Sequence, residues 1–210
     1  NIEKILLHQA GLVADVVLYL KTIAPVTHQT FTQYFQRDSS AKFSVRVAQN
    51  LYLPTDYADT MNQSILDSKL LPADQYVYSD NDFIFMGKVV EAISGMSLND
   101  YVKKTFYDPL GMSSTGFKPR ERFPLGRIAP TALEPIFRQQ LIRGDVHDPG
   151  SAMFGGVAGH AGLFSDAYDL AILEQMLLNG GSLNGHSFLK KETIEYFTAY
   201  HRDISRRGIG

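Results

Sequence analysis

Apolar residues in this chain recur mostly at helical spacing. The clearest case is YVYSDNDFIFMGKVVEAISG at 76–95, where Phe83, Met86, Val90 and Ile93 stand at i, i+3, i+7 and i+10 and predict a helix over 80–94. Gly95 closes it where a left-handed residue is wanted. Ser79, three residues before Asp82, has the spacing of a capping box. The same grammar returns at Ser97/Asp100, which opens a helix to about 107 carrying Leu98, Tyr101, Val102 and Phe106, closed by Pro109 and Gly111. Asp166/Asp169 opens another over 166–179, with Leu170, Leu173, Met176 and Leu177 apolar until Gly180-Gly181. Shorter helices are predicted at 2–10, stopping at Gly11, at 55–70 and at 190–198. Residues 12–53 hold no sustained period. The stretch 113–164 contains five of the nine prolines and many glycines, a long ordered-loop composition. Strand signals are few and short, so helix should dominate, with the helices at 80–94, 97–107 and 166–179 packed together.

Composition narrows the classes. With 210 residues, 44% hydrophobic and 20% charged, the chain fits one well-filled domain or a large piece of a bigger one. Twenty basic residues against 22 acidic ones argue against a nucleic-acid surface or a polybasic membrane contact. No apolar run approaches the ~20 residues of a bilayer span. The chain opens inside a helical pattern without an initiator Met, and is expected to be a segment of a longer protein. Cysteine is absent, which excludes disulfides, thiolate nucleophiles and cysteine-based zinc sites. No two of the six histidines show the i, i+4 spacing of a helical zinc motif, and His147-Asp148 reads as a loop hydrogen-bond pair, so neither metal nor cofactor is expected.

The candidate chemistry is then limited. GGVAGHAG lacks the Gly-Lys-Ser/Thr of a phosphate loop. Asp80/Asp82 and Asp166/Asp169 sit at helix N-termini, where the macrodipole already accounts for them. Two Ser-x-x-Lys strings, Ser39-Ser40-Ala41-Lys42 and Ser187-Phe188-Leu189-Lys190, have the spacing by which a lysine amine can activate a serine, but neither opens an apolar-striped helix that would bury the lysine. Tyr78, just outside a helix N-terminus, fits half-buried packing as well as proton transfer.

Family likeness separates these readings. HQAGL at 8–12 resembles the His-x-Ser-Gly-Leu turn of the class C β-lactamase and penicillin-binding-protein-like serine hydrolases. YSDNDFIFMGKVVEAISGMSLNDYVKKTFYDPLGMSSTGF resembles that family's Tyr-x-Asn motif, helix pair and PLGM turn. GHAGLFSDAYDLAILEQMLLNGG resembles its later glycine segment and helix. Through RFPLGRIAPT, VHDPGSAMFGGVAGHAGLFS and ISRRGIG the likeness extends to serine-hydrolase modules of Bacteroides-type proteins, often fused behind a family 3 β-N-acetylglucosaminidase. The resemblance implies an α+β, β-lactamase/transpeptidase-like fold. Residues 1–210 would be the central, mainly helical segment of a single domain, lacking most of the antiparallel sheet. It implies an acyl-serine hydrolase of amides or esters, acting on a β-lactam or cell-wall peptide. Tyr78 would be catalytic, as proton relay, and Asp80 would stand where the family has Asn, lining the cleft. His147, Gly159 and His160 would bind substrate. The nucleophile would precede Asn1 and the last motif would follow Gly210, so the segment alone should not catalyse acyl transfer. The alternative is a non-catalytic peptidoglycan-binding or supporting module of a fused β-N-acetylglucosaminidase. Expected partners are a small-molecule or peptidoglycan-derived substrate and, through uncovered apolar faces, further copies of the chain. A periplasmic or extracytoplasmic location is implied for the parent.

Overall fold

A computed structural model describes residues 1–72, 75–200 and 208–209. Among them the elements run α1 (Ile2–Leu6), β1 (Val45–Ala48), β2 (Leu51–Leu53), α2 (Tyr57–Leu66), α3 (Asp80–Ser94), α4 (Leu98–Val102), α5 (Asp108–Leu110), β3 (Pro130–Glu134), β4 (Gln140–Arg143), α6 (Pro149–Met153), α7 (Ala167–Leu178), β5 (Ser182–Leu183), β6 (His186–Ser187) and α8 (Lys191–Thr198). Among the described residues helix outweighs strand, and the strands form three antiparallel hairpins, β1-β2, β3-β4 and β5-β6. No helix is long and apolar enough to cross a membrane among the described residues. The chain divides into two compact units, one from residues 1–14, 69–116 and 164 onward, the other from 15–68 and 117–163.

The first unit is built on capped helices. Asp166 accepts from the Asp169 N–H and Ser97 from the Asp100 N–H, each satisfying a donor that the first helical turn leaves open. Gly95 and Gly111 close α3 and α5 at φ 67° and 76°, a conformation that costs other residues most. The predicted helix over 97–107 is α4 followed by a π-helical turn, Lys103–Tyr107. Leu110, Met112 and Met176 form a buried apolar nucleus with Phe106, Ile172, Leu173 and Phe188 against it. Farther along, the Ile209 N–H donates to the Phe197 carbonyl at 2.7 Å.

Two expectations for α3 fail. Ser79 is its N-cap but makes no side-chain cap bond. Its hydroxyl donates to the Val13 carbonyl at 2.7 Å, and Asp82 turns to His8 instead of reaching back. The buried face is Asn81, Asp82, Ile84 and Gly87, whereas Ile93 is 80% exposed. Tertiary partners, not apolar periodicity, choose this face. The first helix also ends early, at Leu6, because His8 takes the left-handed conformation (φ 56°).

More than half of the stretch 113–164 lies outside helix and strand, but it is not loop throughout. It carries the β3-β4 hairpin, α6 and two 3-10 turns at Pro119–Glu121 and Leu125–Arg127. Glu134 makes the hairpin possible: its carboxylate accepts from the N–H groups of Ile136 (2.8 Å), Phe137 (2.9 Å) and Arg138. Burial works against that charge, yet the three N–H donors and the Arg138 guanidinium hold its pKa below the usual range. Arg46 forks onto Asp145 at 2.8 and 2.9 Å, tying β1 to the segment after β4.

Candidate active site

In the first unit the Tyr78 triplet is mounted on the turn after α1. The Val77 N–H donates to the His8 carbonyl (3.0 Å), the Asp80 N–H to the Ala14 carbonyl (2.9 Å), and the Asn81 side-chain amide to the Val13 carbonyl (2.9 Å). The Leu71 N–H donates to the Gly11 carbonyl at 2.7 Å, tying Leu71 to the turn after α1. Tyr78 is 56% exposed, with its ring over His8 at 4.7 Å and 42°. Asp80 is the first residue of α3 and half-buried. The fold therefore presents the Tyr78 phenol at the surface of a rigid helix N-terminus, a suitable mount for a group that moves a proton.

Beneath it lies a pair that sequence reading missed. His8 Nδ1 is 3.1 Å from Asp82 Oδ2, and both side chains are 1% exposed. The Ser79 N–H donates to that same nitrogen at 3.1 Å. Phe83 and Tyr76 pack on the imidazole at 5.1 and 5.9 Å. Burial raises the Asp82 carboxyl to about 7. The N-terminus of α3 favours the anion by only about 0.3–1 kcal/mol, too little to reverse that. The signal was present in HQAGL, but nothing local joined its histidine to an aspartate 74 residues on.

The second unit holds the other predicted residues. Asp148 caps α6, accepting from the Ser151 N–H at 2.6 Å and from His160 Nε2 at 2.9 Å on the same oxygen. Burial would raise this carboxyl, but His160, the Ser151 N–H and the nearby Arg138 guanidinium bring it below its ordinary value. The His160 side chain is 4% exposed, and Gly159 before it is exposed. His147 does not pair with Asp148: it is exposed, and its carbonyl, with that of Val146, accepts from the buried Arg138 guanidinium. The Ser151 hydroxyl donates to the Ala161 carbonyl at 2.8 Å, drawing the glycine segment onto α6. At Gly162 (φ 120°) a Cβ would lie 2.6 Å from the Gly156 carbonyl oxygen, so this approach needs glycine. A polar cavity of about 300 Å³, lined by Arg37, Gln49, Asn50, Gln139 and Gln140 among others, includes none of His147, Gly159 and His160.

Neither Ser-x-x-Lys string has the helical setting that would bury its lysine. Ser39 to Lys42 is exposed irregular chain, with the Ser40 hydroxyl accepting from the Phe43 N–H. Ser187 lies in β6 and Lys190 precedes α8, both exposed.

Fold and motif together define a β-lactamase/transpeptidase-like protein. The Beta-lactamase family model matches residues 3–207, and the chain belongs to that family. A Salmonella enteritidis PT4 protein described as "Putative D-alanyl-D-alanine carboxypeptidase" is 36% identical over 151 residues, 66% of this chain and 35% of that protein. The chain thus spans about a third of the length of the curated relatives it matches. Among solved structures, D-amino acid amidase from Ochrobactrum anthropi superposes with a TM-score of 0.57 at 15% identity, covering 94% of this chain and 47% of that one. The octameric penicillin-binding protein homologue from Pyrococcus abyssi gives 0.56 at 19% identity, over 94% and 38%. At these identities the structural likenesses establish the fold.

Proposed function

We propose that the protein containing this chain is a serine hydrolase that opens an amide or ester through an acyl-serine intermediate, with a β-lactam or cell-wall peptide as substrate. The observation that carries this reading is the Tyr78–Asp80 triplet, held at the N-terminus of α3 by bonds from both sides, in a chain of the Beta-lactamase family. In this reading the serine comes from outside residues 1–210. Its Oγ attacks the carbonyl carbon while its proton passes to the Tyr78 oxygen, and Tyr78 then gives that proton to the leaving amine or alcohol. Water releases the acyl group by the same route in reverse. A phenol serves as such a base when neighbouring cations lower its pKa. Asp80, at the start of α3, lines the reacting centre beside Tyr78. Such a substrate places the protein in the periplasm or outside the cell. Exposed Ile93 and Leu178, each 80% accessible, are the apolar surfaces through which copies would associate.

The rival reading is a non-catalytic module that binds peptidoglycan or supports a fused β-N-acetylglucosaminidase. It is favoured by the carboxylate of Asp80 where the family motif has an amide. One experiment separates the two. In the full-length protein, Tyr78→Phe should lower kcat by about 10²–10⁴-fold, with a smaller change in KM. A chromogenic β-lactam or fluorescent acylating probe should give a one-to-one adduct by intact mass, while residues 1–210 alone give none. Absence of any adduct on the full-length protein would favour the binding module. An adduct on Ser39 or Ser187 would overturn the proposed order of the catalytic groups.

A further inference from the structure

We propose that His8 and Asp82 are positioning residues for Tyr78, with the neutral Asp82 acid holding the His8 ring in the one tautomer that keeps Ser79, and so Tyr78, in place. This rests on Tyr78 acting as the proton relay. His8 Nδ1 lies 3.1 Å from the Ser79 nitrogen and 3.1 Å from Asp82 Oδ2. A backbone N–H can only donate, so Nδ1 must carry its lone pair and the ring proton must be on Nε2. A bare carboxylate facing that lone pair would repel it. Asp82 therefore has to donate, as the protonated acid. Burial of the pair supplies the reason it stays protonated, and among the described residues no donor reaches Asp82 Oδ1 to favour the anion. His8 itself sits at φ 56°, a backbone state that costs a non-glycine residue energy and persists where the side chain is required.

The consequence is a directional sensitivity to pH. When Asp82 loses its proton, either the carboxylate confronts the Nδ1 lone pair, or the ring moves its proton to Nδ1 and the Ser79 N–H loses its acceptor. Both outcomes loosen the residue next to Tyr78 and the ring on which Tyr78 packs. The other ionisable groups on the packed elements are Glu3 and Lys4 of α1, Asp80 of α3, the phenols of Tyr76 and Tyr78, and, farther along α3, Lys88 and Glu91, which pair with each other at 3.1 Å.

The test uses the full-length protein and two readouts. The first is the pH profile of kcat and KM for wild type, Asp82→Asn and Tyr78→Phe. Asparagine offers a permanent N–H donor to Nδ1, so it should mimic the protonated acid. Wild-type kcat should fall as pH rises through about 7, with KM little changed. Asp82→Asn should keep the acid-side kcat within about threefold and lose that descent. Persistence of the descent in Asp82→Asn, with Tyr78→Phe inactive, would overturn the positioning role and leave the relay standing. Full activity of Tyr78→Phe would overturn the relay reading itself. The second readout is ¹⁵N NMR of the His8 ring in the wild-type protein, which needs no variant to fold. The Nε2–H tautomer below about pH 7 supports the proposal, and a proton on Nδ1 there overturns it.

Discussion

The two units each hold an aspartate against a buried histidine, and the two aspartates shift in opposite directions. Asp82 is raised to about 7, whereas Asp148 is held below its ordinary value. Contact with histidine is common to both, at 3.1 and 2.9 Å, and so cannot be the cause. What differs is the supply of donors. Asp148 receives the Ser151 N–H and His160 Nε2, with the Arg138 guanidinium nearby, and is 32% exposed. Asp82 is 1% exposed, its Oδ1 has no hydrogen-bond partner among the described residues, and its histidine nitrogen is already claimed by a backbone N–H. An aspartate-histidine contact is thus an ion pair where donors surround the acid and a neutral hydrogen bond where they do not.

The strongest way to break this comparison is to remove each imidazole. His8→Ala leaves a cavity, an unmatched acid and an unmatched Ser79 N–H in a dry site, and should cost about 3–5 kcal/mol. His160→Ala leaves Asp148 still bonded to the Ser151 N–H and partly open to water, and should cost at least about 1 kcal/mol less. Urea unfolding of both variants decides it. Equal losses would mean that the two pairs are alike.

The next test is pH. For Asp82 the folded pKa lies above the unfolded value of 3.8, so between about pH 4 and 7 the folded state binds more protons. Its contribution is fully present below that window and is lost as pH rises through it, by at most about 1.4 kcal/mol per pH unit. For Asp148 the folded pKa is depressed, so its contribution is present above the ordinary carboxylate range and is lost as pH falls through the depressed value. Urea midpoints of wild type, Asp82→Asn and Asp148→Asn across this range separate the two. Asp82→Asn should flatten the fall towards neutrality, and Asp148→Asn should leave that fall intact.

At a single acidic pH near 5, where Asp82 is the neutral acid and Asp148 the anion, the same substitutions should differ in size. Asp148→Asn replaces charge-assisted bonds with neutral ones and should cost about 1–2 kcal/mol. Asp82→Asn should stay within about 0.5 kcal/mol of wild type, since an amide supplies the same donor. A larger loss at Asp82 than at Asp148 would reverse the assignment of charge.

How much of this was legible depends on how local the chemistry is. The helices at 80–94 and 166–179 were legible because Gly95 and the Asp166/Asp169 cap act within a few residues. The buried face of α3 was not. Its inner residues Asn81 and Asp82 are polar, and their partners Val13 and His8 lie 68 and 74 residues away. The β3-β4 hairpin was hidden because Pro130 and Pro135 weaken the strand signal, while the device that turns the chain is one carboxylate collecting three N–H donors. Tyr78 and Asp80 were singled out by motif, as candidates. The His8–Asp82 strut was not, since only the folded chain joins them.

The smallest effect tests what a buried serine does when it looks like a cap. Ser79 is fully buried and precedes α3, yet its hydroxyl donates to the Val13 carbonyl and caps nothing. In Ser79→Ala that carbonyl keeps the Asn81 side-chain amide at 2.9 Å, and the Ser79 N–H keeps His8, so no buried polar group is stranded. The loss should then be below about 1 kcal/mol. Ser97 is exposed, but its oxygen satisfies the Asp100 N–H at the first turn of α4, and Ser97→Ala should cost about 1 kcal/mol, within the 0.5–2 kcal/mol range for lost caps. The exposed serine should therefore matter at least as much as the buried one in paired urea titrations. A clearly larger loss at Ser79 would mean that its hydroxyl, not the His8–Asp82 pair, is the principal support of the Tyr78 triplet.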